Sequence, residues 1–172
     1  VSAFKFLKNN KQAAHVFKEG DLCRLFNKTM MPHLRILKRL YYPKMDASGN
    51  ARIRMVTEQI EARGIKDAAL LRVMKEIPRH LFVPENFREY AYLDEALPAY
   101  CGQTISQPYV VAKMTELLQL KKQDKVLEIG TGTGYQTAIL AELAGEVYSM
   151  EIIAELADKA KSHPYLTKYR NI

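Results

Sequence analysis

The sequence predicts an α/β fold with a parallel sheet, and three observations around residue 130 support this prediction. Val126–Ile129 is a short, mostly apolar and β-prone run that ends at a glycine, as a buried strand does. Gly130, Gly132 and Gly134 then stand at alternate positions. The following residues have the apolar spacing of a helix as far as Gly145, which stands where a helix C′ residue belongs. Such a unit suits a nucleotide, because no Cβ keeps the ligand away from the backbone N–H groups.

The spacing of the glycines separates two classes of nucleotide site. A dinucleotide fingerprint reads G-x-G-x-x-G, whereas here the third glycine comes one position earlier and is followed by Tyr135. The pattern G-x-G-x-G after an acidic strand residue resembles the first motif of S-adenosylmethionine-dependent methyltransferases, in which the acid reaches the ligand's amino group, directly or through water. The predicted cofactor contacts in this stretch are Glu128, Gly130, Thr131, Gly132, Thr133 and Gly134.

A second strand and a second acid follow the predicted helix. Glu146–Met150 has strand character and is followed by Glu151, about twenty residues beyond the first glycine, where such folds place an acid on the ribose hydroxyls. A carboxylate can accept both of those hydrogen bonds at once. The alternative is an ordinary strand–turn–helix unit with a chance acid after it. Agreement between strand, glycine spacing, helix and second acid favours the nucleotide site.

The charge of the chain is unevenly distributed. The 172 residues have a formal net charge of +7; residues 1–50 contain ten Lys/Arg and three Asp/Glu, whereas residues 51–172 contain sixteen of each. We therefore predict a basic helical extension at 1–50, an N-terminal helical and cleft region at 51–120, and the first part of a cofactor-binding α/β domain at 121–172. A basic amphipathic segment can bind nucleic acid or an anionic membrane. A solvated extension or a targeting remnant is favoured, because no nucleic-acid motif accompanies it.

The composition argues against several classes of protein. No apolar run is long enough to span a membrane, and no secretory leader opens the chain. Cys23 and Cys101 are the only cysteines, and the four histidines are scattered singly, so neither a disulfide framework nor a metal site is predicted. We expect no metal, no membrane span and a reducing, cytoplasmic location.

Three helices are predicted before the glycine turn. The first covers 52–63 and ends at Gly64, and the second is capped by Asp67. Residues 79–105 are predicted to be irregular, and 110–120 to form the third helix. The side chains predicted to be buried are Ile53, Val56 and Ile60 in the first helix, Leu70, Leu71, Met74 and Ile77 in the second, and Val110, Val111, Met114, Leu117 and Leu118 in the third.

The predicted sheet is incomplete at its C-terminal end. A helix over about 154–162 ends before Pro164, and Asn171 and Ile172 have the character of a third strand's first residues. Two or three strands leave open edges and an uncovered face. We therefore expect the α/β domain to be truncated rather than completed by a partner chain.

Three further segments form a pattern with the glycine turn: Met55–Ile60, Pro78–Pro84 and Gly102–Pro108. Together they resemble bacterial protein-L-isoaspartate O-methyltransferases, from about residue 52 to residue 172. The Thr-Ile-Ser-x-Pro pattern is the most family-specific part, since many methyltransferases share the glycine turn. The resemblance implies a Rossmann-like sheet preceded by a helical region, with S-adenosylmethionine as the cofactor.

The resemblance also implies a reaction and a set of site residues. The reaction is methyl transfer from S-adenosylmethionine to the carboxylate of L-isoaspartyl residues in damaged proteins and peptides, which is a repair activity. Ser106 matches the family's active-site serine, Thr104, Ile105 and Ser106 would line the substrate cleft, and Glu151 matches the ribose-binding acid. A carboxylate is already ionised at neutral pH. Ser106 is therefore expected to orient the acceptor by a hydrogen bond and not to act as a nucleophile.

Two alternatives remain at this stage. One is an RNA methyltransferase that grips phosphates with residues 1–50; the Thr-Ile-Ser-x-Pro segment has no role in that chemistry, so we do not expect nucleic acid as a partner. The other is a non-catalytic, truncated fragment that binds a cofactor or a partner. Two residues near the predicted cleft are given structural roles: His80 as a packed or hydrogen-bonded joint, and Cys101 as a small buried residue.

Overall fold

The structure, a computed structural model, describes residues 49–172. The basic extension predicted at 1–50 lies outside the described residues apart from Gly49 and Asn50. These two residues belong to helix α1 (Gly49–Arg54) and not to a linker. The helical segment predicted over 52–63 is therefore present and is described from three residues earlier.

The continuation of α1 changes its helical pitch. A π-helical turn, Met55–Ile60, follows α1, and a 3-10 turn leads to Gly64, which ends the segment with φ of 94°. The wider turn sets the spacing of the core contacts, because Ala51, Met55, Val56 and Ile60 are all fully buried. Ile53, predicted to be buried, is 46% exposed, since the π-helical register turns the buried stripe away from it.

Helix α2 (Ala68–Glu76) forms as the sequence predicts. The Asp67 carboxylate accepts a hydrogen bond of 3.0 Å from the N–H of Leu70, which is an N-cap. The predicted apolar face is buried in full: Leu70, Leu71, Met74 and Ile77. Helix α2 therefore supplies one wall of the core that supports the residues at 79–105.

The segment after α2 contains more regular structure than the irregular chain we predicted. Strands β1 (Leu97–Pro98) and β2 (Thr104–Ile105) pair antiparallel, with Leu97 opposite Ile105 and Pro98 opposite Thr104. Each strand is only two residues long, too short for a period-two pattern to be read. Three short 3-10 turns complete the segment: Arg79–Phe82, Glu85–Tyr90 and Tyr100–Gly102.

Helix α3 (Pro108–Leu118) is present, but of its predicted buried face only Val111 is confirmed. Ala112 and Thr115 are buried beside it. The predicted residues Val110, Met114, Leu117 and Leu118 are between 40% and 69% exposed. Helical periodicity allowed either stripe, and packing against the π-helical turn and α2 selects the smaller side chains.

The α/β unit has the predicted order and strand direction. Strand β3 (Lys125–Ile129), helix α4 (Tyr135–Leu143) and strand β4 (Glu146–Met150) follow one another, and β3 pairs parallel to β4 with Lys125 opposite Glu146. Helix α5 (Ala154–Lys161) follows β4. The carboxyl ends of both strands therefore lie side by side at the glycine turn.

One face of this sheet is exposed among the described residues. Val126, Glu128 and Val147 are buried against α4, whereas side chains on the opposite face are more than half exposed: Leu127, Ile129, Tyr148 and Met150. Strand β3, predicted to be a buried strand, is thus covered on one face only. In the described part of the chain, no helix is both long and apolar enough to cross a bilayer.

Candidate functional site: the glycine turn and the cleft beside it

The glycine turn after β3 is fixed to the end of β4. The N–H groups of Gly130 and Thr131 both donate to the carbonyl of Met150, at 2.7 and 3.1 Å. Gly130, Gly132 and Gly134 have φ of 94°, 56° and 85°, a region that costs other residues about 1–2 kcal/mol. The alternating glycines predicted from the sequence therefore each occupy a left-handed position.

Glu151 closes this turn from the β4 side. One carboxylate oxygen accepts from the N–H of Gly132 at 2.8 Å, and the other accepts from the N–H of Ile153 at 3.0 Å. Each oxygen has a second lone pair for another donor. The predicted ribose acid is thus held beside the glycine turn, by one N–H of the turn and by the N–H of the residue two positions after it.

Glu128 is the buried acid of β3 and lies in a chain of hydroxyl groups. Its Oε2 accepts from Thr137 at 2.6 Å and from Ser149 at 2.5 Å, and the Thr131 hydroxyl lies 2.6 Å from that of Ser149. Since the Ser149 hydrogen points to Glu128, Thr131 donates to Ser149. Burial raises the pKa of Glu128, the two hydroxyl donors oppose that rise, and the nearby Glu151 adds to it.

We expect Glu128→Gln to stabilise the chain near neutral pH. Because the folded pKa of Glu128 is raised above its ordinary value of 4.5, its contribution to stability is complete below that value and is lost as pH rises through the folded pKa. Glutamine stays neutral and keeps an oxygen for Thr137 and Ser149. The melting temperature of the variant minus that of the unchanged chain should be positive at pH 7.5 and shrink toward pH 4.5.

A control separates this effect from general acid sensitivity. Glu155→Gln changes an exposed carboxylate on α5, so its difference in melting temperature should stay near zero across the same pH range. A Glu128→Gln variant that is less stable at every pH would contradict the assignment of burial as the main cause.

A cleft of about 390 Å³ joins the glycine turn to the segment around Ser106. We call it the central cleft. Its walls come from β2, α3, β3, the glycine turn and α4. The predicted site residues that line it are Thr104, Ile105, Ser106, Glu128, Gly130, Thr131, Gly132 and Thr133. Two segments more than twenty positions apart in sequence thus meet at one cavity, with the Ser106 side chain exposed.

Two predicted cofactor residues lie outside the central cleft. Glu151 lines a second cleft of about 500 Å³, on the α5 side, which also contains Thr131 and Ser149. Gly134 lines neither cleft and has a packing role instead. A Cβ placed on it would overlap Cδ1 of Leu166, so the glycine lets the segment after α5 approach the turn closely.

The segment at 163–169 packs against the glycine turn, through Leu166 beside Gly134, and against Phe82. The sequence did not predict these contacts. The His163 ring stacks on Phe82 with centroids 4.5 Å apart, and Tyr135 and Tyr165 contact Phe82 edge-on at 5.6 and 5.5 Å. His163 also contacts the carbonyl of Leu81 at 3.1 Å. No periodic pattern marks these contacts, because they join separate elements through single side chains.

Arg79 is the other residue that sequence reasoning did not place in the site. It is fully buried, and its guanidinium donates to the carbonyl of Ala91 and to that of Ser106, both at 2.8 Å. The carbon of the guanidinium lies 4.9 Å from the centre of the Tyr135 ring. Burial lowers the pKa of Arg79 to about 10, while Tyr135 and Tyr92 act in the opposite direction.

The structure confirms the prediction for His80 and contradicts the one for Cys101. His80 is hydrogen-bonded as expected, with Nδ1 2.7 Å from the hydroxyl of Tyr92, and burial lowers its pKa, with Arg52 and Arg88 adding to the shift. Cys101, predicted to be buried, is half-exposed with φ of 54°. Its place in the tight turn between β1 and β2 prevents full burial.

Within residues 49–172, no group of three His, Cys, Asp or Glu is arranged to hold a metal.

Comparison with known sequences identifies relatives of this fold and site. The family model described as protein-L-isoaspartate(D-aspartate) O-methyltransferase matches residues 50–171. A protein-L-isoaspartate O-methyltransferase of Methanoculleus marisnigri is 54% identical over 118 residues, which are 69% of this chain and 54% of that protein. One from Syntrophus aciditrophicus is 56% identical over 117 residues, 68% of this chain and 54% of that protein. The chain thus spans about half the length of the curated relatives that it matches.

Solved structures agree with the fold. A protein-L-isoaspartate O-methyltransferase structure superposes with a TM-score of 0.61 at 28% identity, covering 70% of this chain and 40% of that one. A structure described as a protein-L-isoaspartate O-methyltransferase from Plasmodium falciparum, solved with S-adenosyl-L-homocysteine, has a TM-score of 0.56 at 24% identity. The match covers 70% of this chain and 60% of that one. The second likeness concerns the fold alone. The match of the family model over most of the described residues shows that the chain belongs to the protein-L-isoaspartate(D-aspartate) O-methyltransferase family.

Proposed function

We propose that the protein of which this chain forms part transfers a methyl group from S-adenosylmethionine to the carboxylate of L-isoaspartyl residues in damaged proteins. One observation supports this most directly: the central cleft places the family-specific segment Thr104–Ser106 beside the glycine turn. A cofactor site and an acceptor site must share a cavity for direct transfer. The activity is proposed for the whole protein, because the chain spans about half the length of its relatives.

The residues of the turn fit S-adenosylmethionine. A Cβ on Gly130 or Gly132 would meet no protein atom within 4 Å, so the backbone there is open to a ligand. We propose that Glu128 faces the ligand's ammonium group and that Glu151 accepts from its ribose hydroxyls. When bound, the cofactor supplies an activated methyl group on a sulfonium. The remaining chemistry consists of positioning and removal of water by the residues of this chain.

We assign Ser106 the role of orienting the acceptor. Its hydroxyl is exposed beside the central cleft, while its carbonyl is held from behind by Arg79. A hydrogen bond from the hydroxyl to one carboxylate oxygen would point the other oxygen at the methyl group. No general base is required, because the acceptor is already ionised.

The parts of the chain divide accordingly. We propose that residues 121–172 supply the first part of the cofactor-binding domain and that residues 51–120 form the substrate side of the cleft. We also propose a cytoplasmic location. We do not propose nucleic acid as the substrate, because the Thr104–Pro108 segment has no role in that chemistry; the basic stretch at 1–50 lies outside the described residues apart from Gly49 and Asn50.

Ser106→Ala tests the function and the assigned role together. We expect an isoaspartyl peptide to accept a labelled methyl group from S-adenosylmethionine and a normal aspartyl peptide to accept none. Ser106→Ala should lower kcat/KM by about 10- to 100-fold with an unchanged melting temperature, because the side chain is exposed. Ser162→Ala, an exposed serine that ends α5, is the control and should keep full activity.

Calorimetry with S-adenosylhomocysteine distinguishes the alternatives. Binding without transfer to the peptide would favour a non-catalytic cofactor-binding fragment. If the whole protein shows neither binding nor transfer, the proposal fails. Full activity in Ser106→Ala would remove the role given to the serine and leave the rest intact.

A further inference from the structure

We propose that Arg79 is a positioning residue that holds the backbone of Ser106 at a fixed place relative to the glycine turn. The inference rests on the function proposed above, because only that function makes the place of Ser106 important. Its structural part concerns contacts within residues 49–172 and can be tested without methyl transfer.

The guanidinium joins three separate pieces of the chain. Its Nε–H donates to the carbonyl of Ala91, which ends the 3-10 turn before β1, and one terminal nitrogen donates to the carbonyl of Ser106. Its central carbon lies over the ring of Tyr135, the first residue of α4 after the glycine turn, at 4.9 Å from the ring centre. One side chain therefore links the substrate segment to the start of the cofactor helix.

The contact is made at the serine itself. Strands β1 and β2 hold the chain only as far as Ile105, and α3 begins at Pro108. Between them, the Gln107 side chain donates to the carbonyl of Asp94 at 2.8 Å. Within residues 49–172, the hydrogen bond from Arg79 is the one that holds the Ser106 carbonyl.

The burial of this arginine is costly, which argues against a chance contact. Arginine is rarely fully buried, and here the other terminal nitrogen has no hydrogen-bond partner among the described residues. A neutral side chain of similar size would avoid the desolvation of a charge. The planar fork places two separate nitrogens on the two carbonyls, a geometry that the single nitrogen of a lysine does not reproduce.

Hydrogen exchange measured on this chain tests the structural part. Arg79→Lys keeps the charge but replaces the two separate donor nitrogens, one for each carbonyl, by a single ammonium nitrogen. We expect the amides of residues 103–107 to exchange at least about tenfold faster than in the unchanged chain, while those of α2 change little. Arg63→Lys is the matched control: Arg63 stacks on Tyr109 and pairs with Asp94, close to the same segment but without a contact to Ser106.

A second measurement needs no variant, in case Arg79→Lys does not fold. In the unchanged chain with labelled arginine and serine, a through-hydrogen-bond coupling should join the Arg79 guanidinium nitrogen to the Ser106 carbonyl carbon. Its absence would overturn the proposal. Unchanged exchange at 103–107 in a folded Arg79→Lys, or equal acceleration along the whole chain, would also overturn it.

Kinetics then connect the contact to the reaction. In an active preparation, Arg79→Lys should lower kcat by about tenfold or more and leave the affinity for S-adenosylhomocysteine within twofold. A loss of cofactor affinity equal to the loss of kcat would mean that Arg79 supports the whole fold and not the place of Ser106. If the whole protein transfers no methyl group, the proposed function fails, while the exchange and coupling results on this chain still decide the structural claim.

Discussion

Gly134→Ala should lower the free energy of unfolding by roughly 2–4 kcal/mol and weaken the binding of S-adenosylhomocysteine at the same time. Gly134 has φ of 85°, so alanine at this position would be strained by the left-handed backbone conformation. Its Cβ would also overlap Leu166, which is buried behind the turn. Leu166 must move away, and the glycine turn then loses its support. Urea unfolding and calorimetry measure the two effects.

Gly64→Ala is the control that separates backbone strain from steric overlap with a neighbouring side chain. Gly64 has φ of 94°, and a Cβ there would meet no atom within 4 Å. This variant should cost only about 1–2 kcal/mol and leave ligand binding unchanged. Equal losses in the two variants would show that the contact with Leu166 has no role. If the overlap is the cause, Gly134→Ala combined with Leu166→Ala should lose less than the sum of the two single losses.

Phe82→Ala should have the largest effect on stability, about 3–5 kcal/mol. Phe82 is almost fully buried and contacts the rings of His163, Tyr135 and Tyr165. Alanine leaves a cavity between the 3-10 turn and the segment at 163–169. We therefore expect loss of stability together with faster hydrogen exchange at 163–169, measured by urea unfolding and mass spectrometry.

Phe87→Ala is the matched control for that variant. Phe87 is equally buried and belongs to the same core, but it has no ring contact with the segment at 163–169. It should cost a similar free energy and accelerate exchange without preference for that segment. A similar exchange pattern in both variants would contradict the link from Phe82 to the rear of the glycine turn.

The glycine turn could be predicted because its causes are local. The strand β3, the left-handed glycines and α4 are each encoded by adjacent residues, and the acid Glu151 follows at a fixed distance. The N-cap by Asp67 is local in the same way. These features depend on backbone geometry and short-range hydrogen bonds, which a single sequence specifies.

Burial was harder to predict than element type. Helix α3 has apolar residues on two stripes, and only the positions of its neighbours decide that Val111 faces the core and Leu117 does not. The π-helical turn after α1 likewise removes Ile53 from the buried face. In both cases the period of the helix is known, but its rotation depends on tertiary packing.

The residues of the candidate site likewise divide into those that local motifs predict and those that only tertiary contacts reveal. Motifs predicted the polar and glycine residues of the central cleft, but not its other lining residues such as Met114, Leu118 and Gln136. The residues behind the cleft were not predicted either. Arg79 has the sequence character of a surface residue, and nothing near it indicates that it binds two distant carbonyls. Leu166 and His163 act on the turn from a segment that contains no motif.

The contact of His163 with Leu81, 82 positions apart in the chain, also sets an order of events during folding. Contacts of such separation form late, since a long loop must close before they add stability. During synthesis, the strand, the glycines and α4 leave the ribosome before Leu166 does. We therefore expect the turn to fold first in a loose form and to become a defined binding surface only when the segment at 163–169 docks. The rate at which ligand binding appears in refolding should follow that docking step and not the formation of helix.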